Sequence, residues 1–234
     1  MAILENLSAV RERIAIAARR AGRRPEEIVL MAVTKTHSAA RIRDAYNAGL
    51  RVFGENRVQE FATKAGALAD LRDAEWHMIG HLQTNKAARA AELFSAIDSV
   101  DSLKLAEKMD AAARGLNKRL RVLIEINVGG EAAKSGVAHD SPELEDLLKA
   151  APRLEALEFR GLMTVPPFAE NPEDARPYFR GLRELRDSIA ARKLPAVNMD
   201  ELSMGMSHDF EVAIEEGSTC VRVGTAILGE RIRA

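Results

Sequence analysis

The chain has a single cysteine, Cys220, in 234 residues, which excludes an internal disulfide and any multi-cysteine metal centre. Aromatic residues make up only 4%, too few for the stacking platforms that hold single-stranded nucleic acid. Net charge is nearly absent. Thirty-four basic residues against 35 acidic ones leave −1, so no long-range field recruits nucleic acid or an anionic membrane. No stretch approaches the roughly 18 apolar residues of a membrane span. The first residues include Glu5, Arg11, Glu12 and Arg13 and contain no signal-peptide apolar block. These absences predict a soluble cytoplasmic protein, with neither nucleic acid nor membrane among its partners.

What is present is alternation. After an amphipathic stretch over 3–21, apolar runs fall at 28–34, 52–54, 76–80, 96–100, 121–128, 157–164, 201–204 and 219–223. Helix-like segments separate them at 39–48, 58–69, 84–93, 102–114, 142–149, 172–191 and 210–215. Unbroken strand-then-helix order implies parallel strands joined by crossover helices. Eight such strands in this length fit a single (β/α)8 TIM barrel over 1–234 with an extra N-terminal helix. An open doubly wound sheet is the alternative. No composition shift marks a second domain.

In a barrel the loops after the strands converge on one face, and chemistry gathers there. Lys35 ends the run Val29-Leu30-Met31-Ala32-Val33-Thr34. It is either a solvated cap or an amine delivered into the cleft, where apolar surroundings favour the free base that attacks an aldehyde. Gly205, in Ser203-Met204-Gly205-Met206-Ser207, and Gly224, in Arg222-Val223-Gly224-Thr225, are either plain turns or a phosphate cradle at the last two strand ends. Ser203, Ser207 and Thr225 would add hydroxyls to it. Arg222 shares the strand face of Gly224 and points inward, towards a bound ring or towards a barrel carboxylate such as Glu125. Asn56 suits both a helix cap and a ligand contact. His77 and His81 are four apart, but Gly80 breaks a helical face and no carboxylate completes a ligand set, so no metal site is expected.

These motifs, together with Phe53-Gly54-Glu55-Asn56 and Trp76-His77-Met78-Ile79-Gly80-His81-Leu82-Gln83, resemble those of the pyridoxal phosphate homeostasis proteins over essentially the full chain. The resemblance implies a barrel similar to the N-terminal domain of alanine racemase, with pyridoxal 5'-phosphate (PLP) held as an internal aldimine on Lys35. It implies Ser203, Gly224 and Thr225 on the phosphate, Arg222 against the pyridine nitrogen, and Asn56 near the ring. Lys134, in Lys134-Ser135-Gly136, matches a family motif and offers a second amine near the mouth.

The resemblance also implies a carrier or buffer with no catalytic residues and no established turnover, possibly supplying PLP-dependent apo-enzymes. Amino-acid racemisation is the second reading, since alanine racemases share the arginine. Racemisation needs two acid–base groups on opposite faces of the α-carbon. Lys35 can serve one. Tyr46 and Tyr178 lie at helical connectors rather than strand ends, and no second domain follows Thr225. A barrel hydrolase or phosphate-sugar enzyme using Lys35 as a Schiff base is the third reading. A self-contained barrel with balanced charge is expected to be monomeric.

Overall fold

A computed structural model describes residues 2–131 and 135–229. Its eight strands are β1 (Val29–Val33), β2 (Val52–Glu55), β3 (Glu75–Met78), β4 (Ala96–Val100), β5 (Leu120–Glu125), β6 (Leu157–Met163), β7 (Val197–Met206) and β8 (Cys220–Val223). All pair in parallel, in chain order, and β1 pairs with β8 to close the barrel. Registers such as Val29↔Cys220 and Met31↔Arg222 exclude the open sheet. Strands buried on both faces read as continuous apolar runs. β4 is the plainest case, buried at every position.

The crossover helices are α2 (Ala39–Asn47), α3 (Val58–Ala65), α4 (Ala87–Leu93), α5 (Leu103–Gly115), α6 (Pro142–Ala150), α7 (Arg176–Ala191) and α8 (Phe210–Glu215), preceded by α1 (Ala2–Arg20) and followed by α9 (Thr225–Leu228). Three begin on serine. Ser38, Ser102 and Ser141 accept from the amides of Arg41, Leu105 and Leu144, which satisfies donors the helix itself cannot. Pro142 at the first turn of α6 loses no hydrogen bond there. β7 starts earlier than the apolar run predicts, because polar Asn198 and Asp200 sit at its outer end.

The extra helix α1 buries Ile3, Leu7, Val10, Ile14, Ala17 and Ala18, a stripe spaced three and four apart. It lies against α8 and α9, tied by Asn6 Nδ2 donating to Ile227 O at 3.1 Å. It therefore braces the elements that follow the last two strands. The few aromatics concentrate on one side. Phe61 of α3 lies between Trp76 and Phe94, with ring centroids 4.7 and 5.0 Å away. Burying that ring contributes about 2–3 kcal/mol and fixes α3 against β3. Among the described residues no helix is long and apolar enough to cross a membrane.

Candidate functional site

A cleft of about 540 Å³ opens at the C-terminal ends of the strands. Six of the seven predicted residues line it: Lys35, Asn56, Ser207, Arg222, Gly224 and Thr225. The seventh, Ser203, is fully buried in β7. Its hydroxyl accepts from Arg222 Nη1 at 2.7 Å, so it lies beneath the arginine and not on the cleft wall. Lys134 lies outside the described residues.

The backbone on both sides of Lys35 is clamped. Before it, Thr34 is fully buried; its hydroxyl donates to Glu55 Oε1 at 2.7 Å and its carbonyl accepts from Lys64 Nζ at 3.3 Å. After it, the amide of Thr36 donates to Glu60 Oε1 at 2.5 Å. Thr36 has φ +66°, a left-handed conformation that a β-branched residue adopts at a cost. Lys64 links the two carboxylates, 2.8 Å from Glu55 and 2.9 Å from Glu60. Burial pushes the Glu55 carboxyl up, against the pull of its bonds from Lys64 and Thr34. Lys64 went unread in the sequence, although its spacing of three from Val58 and Phe61 put it on the buried face of α3.

Arg222 is 3% exposed. Its hydrogen bonds go to neutral oxygens, Ser203 Oγ and the Thr164 carbonyl at 2.6 Å. Burial pulls its pKa down. Glu125, the carboxylate considered for it, instead accepts from Ser135 Oγ at 2.9 Å. The guanidinium thus keeps its charge uncancelled by direct pairing with that acid, at the floor of the cleft.

The phosphate-like corner is built from three turns. Gly224 N–H donates to Ser207 Oγ at 3.3 Å, and Gly224 and Thr225 open α9, whose first amides have no helical acceptor. A Cβ on Gly224 would approach Val33 O to 3.3 Å. Gly205 has φ +93°, and a side chain there would strike Ala213 Cβ at 2.5 Å, so the β7–α8 turn packs close only with glycine. Asp209 Oδ1 secures that turn by accepting from Met206 N at 2.6 Å.

Phe168, in the loop after β6, also lines the cleft while 82% exposed. Its ring lies 5.7 Å from that of His208, and His208 Nε2 is 2.9 Å from Glu170 O. The loop's prolines marked it as a turn; nothing in the sequence marked the phenylalanine as a cleft residue. The two histidines weighed for metal part company. His77 lies in the barrel interior, 3.0 Å from Asp98, while His81 stands at the rim, 2.8 Å from Asp101.

A barrel with a strand-end lysine, an inward arginine and a glycine turn defines a class. Residues 6–232 match the family described as alanine racemase, N-terminal domain. The chain is 51% identical to the pyridoxal phosphate homeostasis protein of Aquifex aeolicus over 97% of each chain. It is 43% identical to that of Escherichia coli K12, over 98% of this chain and 97% of the other. The structure of PipY from Synechococcus elongatus with PLP bound superposes with a TM-score of 0.81 at 36% identity, covering 97% of this chain and all of that one. The chain belongs to the pyridoxal phosphate homeostasis protein family.

Proposed function

We propose that the protein binds PLP at the barrel mouth and holds it in reserve for enzymes that need it. The observation that carries this is the convergence of Lys35, Arg222, Gly224 and Thr225 on one cleft. The residues fit the cofactor: a phosphate corner where a Cβ would intrude, an amine at the neighbouring strand end, and a buried cation on the floor. The relatives' names and the PLP-bound PipY structure support the same assignment. When bound, PLP supplies an aldehyde carbon open to a primary amine and a ring that withdraws electrons.

Each side chain then has a task. Lys35 supplies the amine for covalent attachment, held at the mouth by the Thr34 and Thr36 clamps. Ser207, Gly224 and Thr225 take the phosphate through two hydroxyls and the turn's amides. Arg222 presents N–H donors and a fixed charge to the ring nitrogen, which keeps a second proton off that nitrogen. Ser203 holds Arg222 from below. Asn56 flanks the ring.

A reserve needs binding without turnover, and the cleft's composition supports that reading over racemisation. The second acid–base group is missing from the cleft wall among the described residues. Tyr46, one of two tyrosines, donates to Asp73 on the outer surface. The same reading makes the protein a cytoplasmic monomer that hands cofactor to apo-enzymes.

The test is direct. Purified protein mixed with PLP should gain an absorbance band near the visible edge, fixed by borohydride as a pyridoxyl group on the peptide containing Lys35. Lys35→Ala should lose the covalent adduct. An adduct mapped to another lysine overturns the assignment, and sustained loss of optical rotation with L-amino acids overturns the carrier in favour of a racemase. Faster reactivation of an apo-enzyme by loaded protein than by free release would support handover.

A further inference from the structure

Beside the cleft lies a second recess of about 350 Å³, at the ends of β3 and β5. Asn56, Ile79 and Val165 belong to both and form the partition between them. The recess has the opposite electrical character. No lysine or arginine lines it among the described residues. Its ionisable groups are Glu125 and His81, and His81 is held by Asp101 at 2.8 Å.

Glu125 is 5% exposed. Ser135 Oγ donates to its Oε1, while Oε2 is buried without a partner. An orphaned carboxylate oxygen in the interior costs several times what a surface one does. Burial and the charge of Asp101 push the Glu125 carboxyl up; Ser135, Arg222 and His81 oppose them. A ligand that supplied a cationic donor would relieve both the missing hydrogen bond and the repulsion from Asp101.

We propose that this recess is a subsite for a primary ammonium group, carried by a small aliphatic amine, with Glu125 as its principal acceptor. Anions are disfavoured by the two carboxylates. A hard divalent cation takes about six oxygens, against the single orphan one here. An ammonium has three N–H donors and no acceptor, which matches one buried carboxylate flanked by the neutral polar side chains of Ser135 and Asn127. The partition residues set such an amine beside the pocket assigned to the aldehyde cofactor. That adjacency, and its meaning as a place for amine-bearing compounds next to PLP, rests on the function proposed above. The ammonium site itself does not.

The experiment is calorimetric titration of cofactor-free full-length protein with 1,4-diaminobutane, with 1,4-butanediol as the neutral control of equal length. Wild type should bind the diamine with millimolar affinity and ignore the diol. Glu125→Gln should weaken diamine binding at least tenfold. Ser135→Ala, which keeps the carboxylate but removes its hydrogen bond, should weaken it about threefold, and this variant carries the test should the first not fold. PLP affinity, read separately by absorbance, should be the same in Glu125→Gln as in wild type. Equal diamine affinity in wild type and Glu125→Gln overturns the proposal. So does equal binding of the diol, or no saturation by about 10 mM diamine, roughly ten times the expected constant. If PLP and diamine affinities fall in parallel, Glu125 belongs to the cofactor pocket and there is no separate subsite. Failure of wild type to bind PLP would instead overturn the proposed function and leave the diamine result standing.

Discussion

The two ends of the barrel treat buried charge differently. At the bottom, where strands begin, the groups consume one another. His77 bonds to Asp98 at 3.0 Å and lies 3.8 Å from Glu75. Arg121 pairs with Glu75 and reaches His77 Nε2 at 3.3 Å. At the top, valences are left open. Arg222 is held by neutral oxygens, and both Glu55 and Glu125 keep an oxygen without a partner. A single strand carries both regimes: Arg121 starts β5 inside the paired network and Glu125 ends it inside a recess. Saturated hydrogen bonding reads as structure, and open valence reads as a place for a ligand.

If that contrast is right, cutting the lower network should damage stability before ligand binding. Asp98→Ala leaves a charged imidazole with one of its buried partners gone, and should cost about 3 kcal/mol or more in urea unfolding. PLP affinity of the folded fraction should stay within threefold of wild type. A variant as stable as wild type would show the lower network to be slack.

The next effect is a pH dependence. Burial alone would lower the His77 pKa, but the charge and hydrogen bond of Asp98 and the bond to Glu75 outweigh it and raise it to about 9. A group raised above its unfolded value stabilises fully below that value, near 6.5, and the contribution is lost as pH climbs through 9. Between pH 6.5 and 9 the unfolding free energy should therefore fall by up to about 3 kcal/mol. His77→Gln should flatten that slope. Glu75 works the other way: the bond from His77 is the largest influence lowering it to about 2, so its contribution, present above about 4.5, disappears as pH falls through 2.

Much of this division was legible in the sequence, and the exceptions are instructive. The strand ends announced Lys35, Asn56, Arg222, Gly224 and Thr225 because polar residues there interrupt apolar runs. Ser203 carries the same local signal as Ser207 four residues on. Only three-dimensional depth separates the hydroxyl under Arg222 from the one against Gly224. His77 and Asp98 sit inside runs that read as apolar strands, and their pairing spans 21 residues. Lys64 looked like a helix-surface lysine; its two carboxylate partners come from β2 and from its own preceding turn.

Lys64 also offers a sharper probe of the upper end. Lys64→Met should strip Glu55 and Glu60 of their cation, costing about 2 kcal/mol, and let the Thr34–Thr36 segment relax. PLP affinity should drop roughly tenfold, a larger loss than Asp98→Ala produces, and an unchanged affinity would detach the clamp from the site. The smallest expected effect is at Phe168. Because it is 82% exposed, Phe168→Ala should leave stability within about 0.5 kcal/mol. Stopped-flow release of PLP should quicken by about threefold, in line with the loss of one ring contact.

Lys35 follows the first strand, whereas Arg222, Gly224 and Thr225 come from the last, and the two strands meet only at the seam that closes the barrel. During synthesis on a ribosome the lysine emerges early and waits for nearly two hundred residues before its counterparts exist. A nascent chain or any fragment lacking the final strand therefore has the amine but no cradle. The ability to retain the vitamer arrives last, as a property of the completed ring.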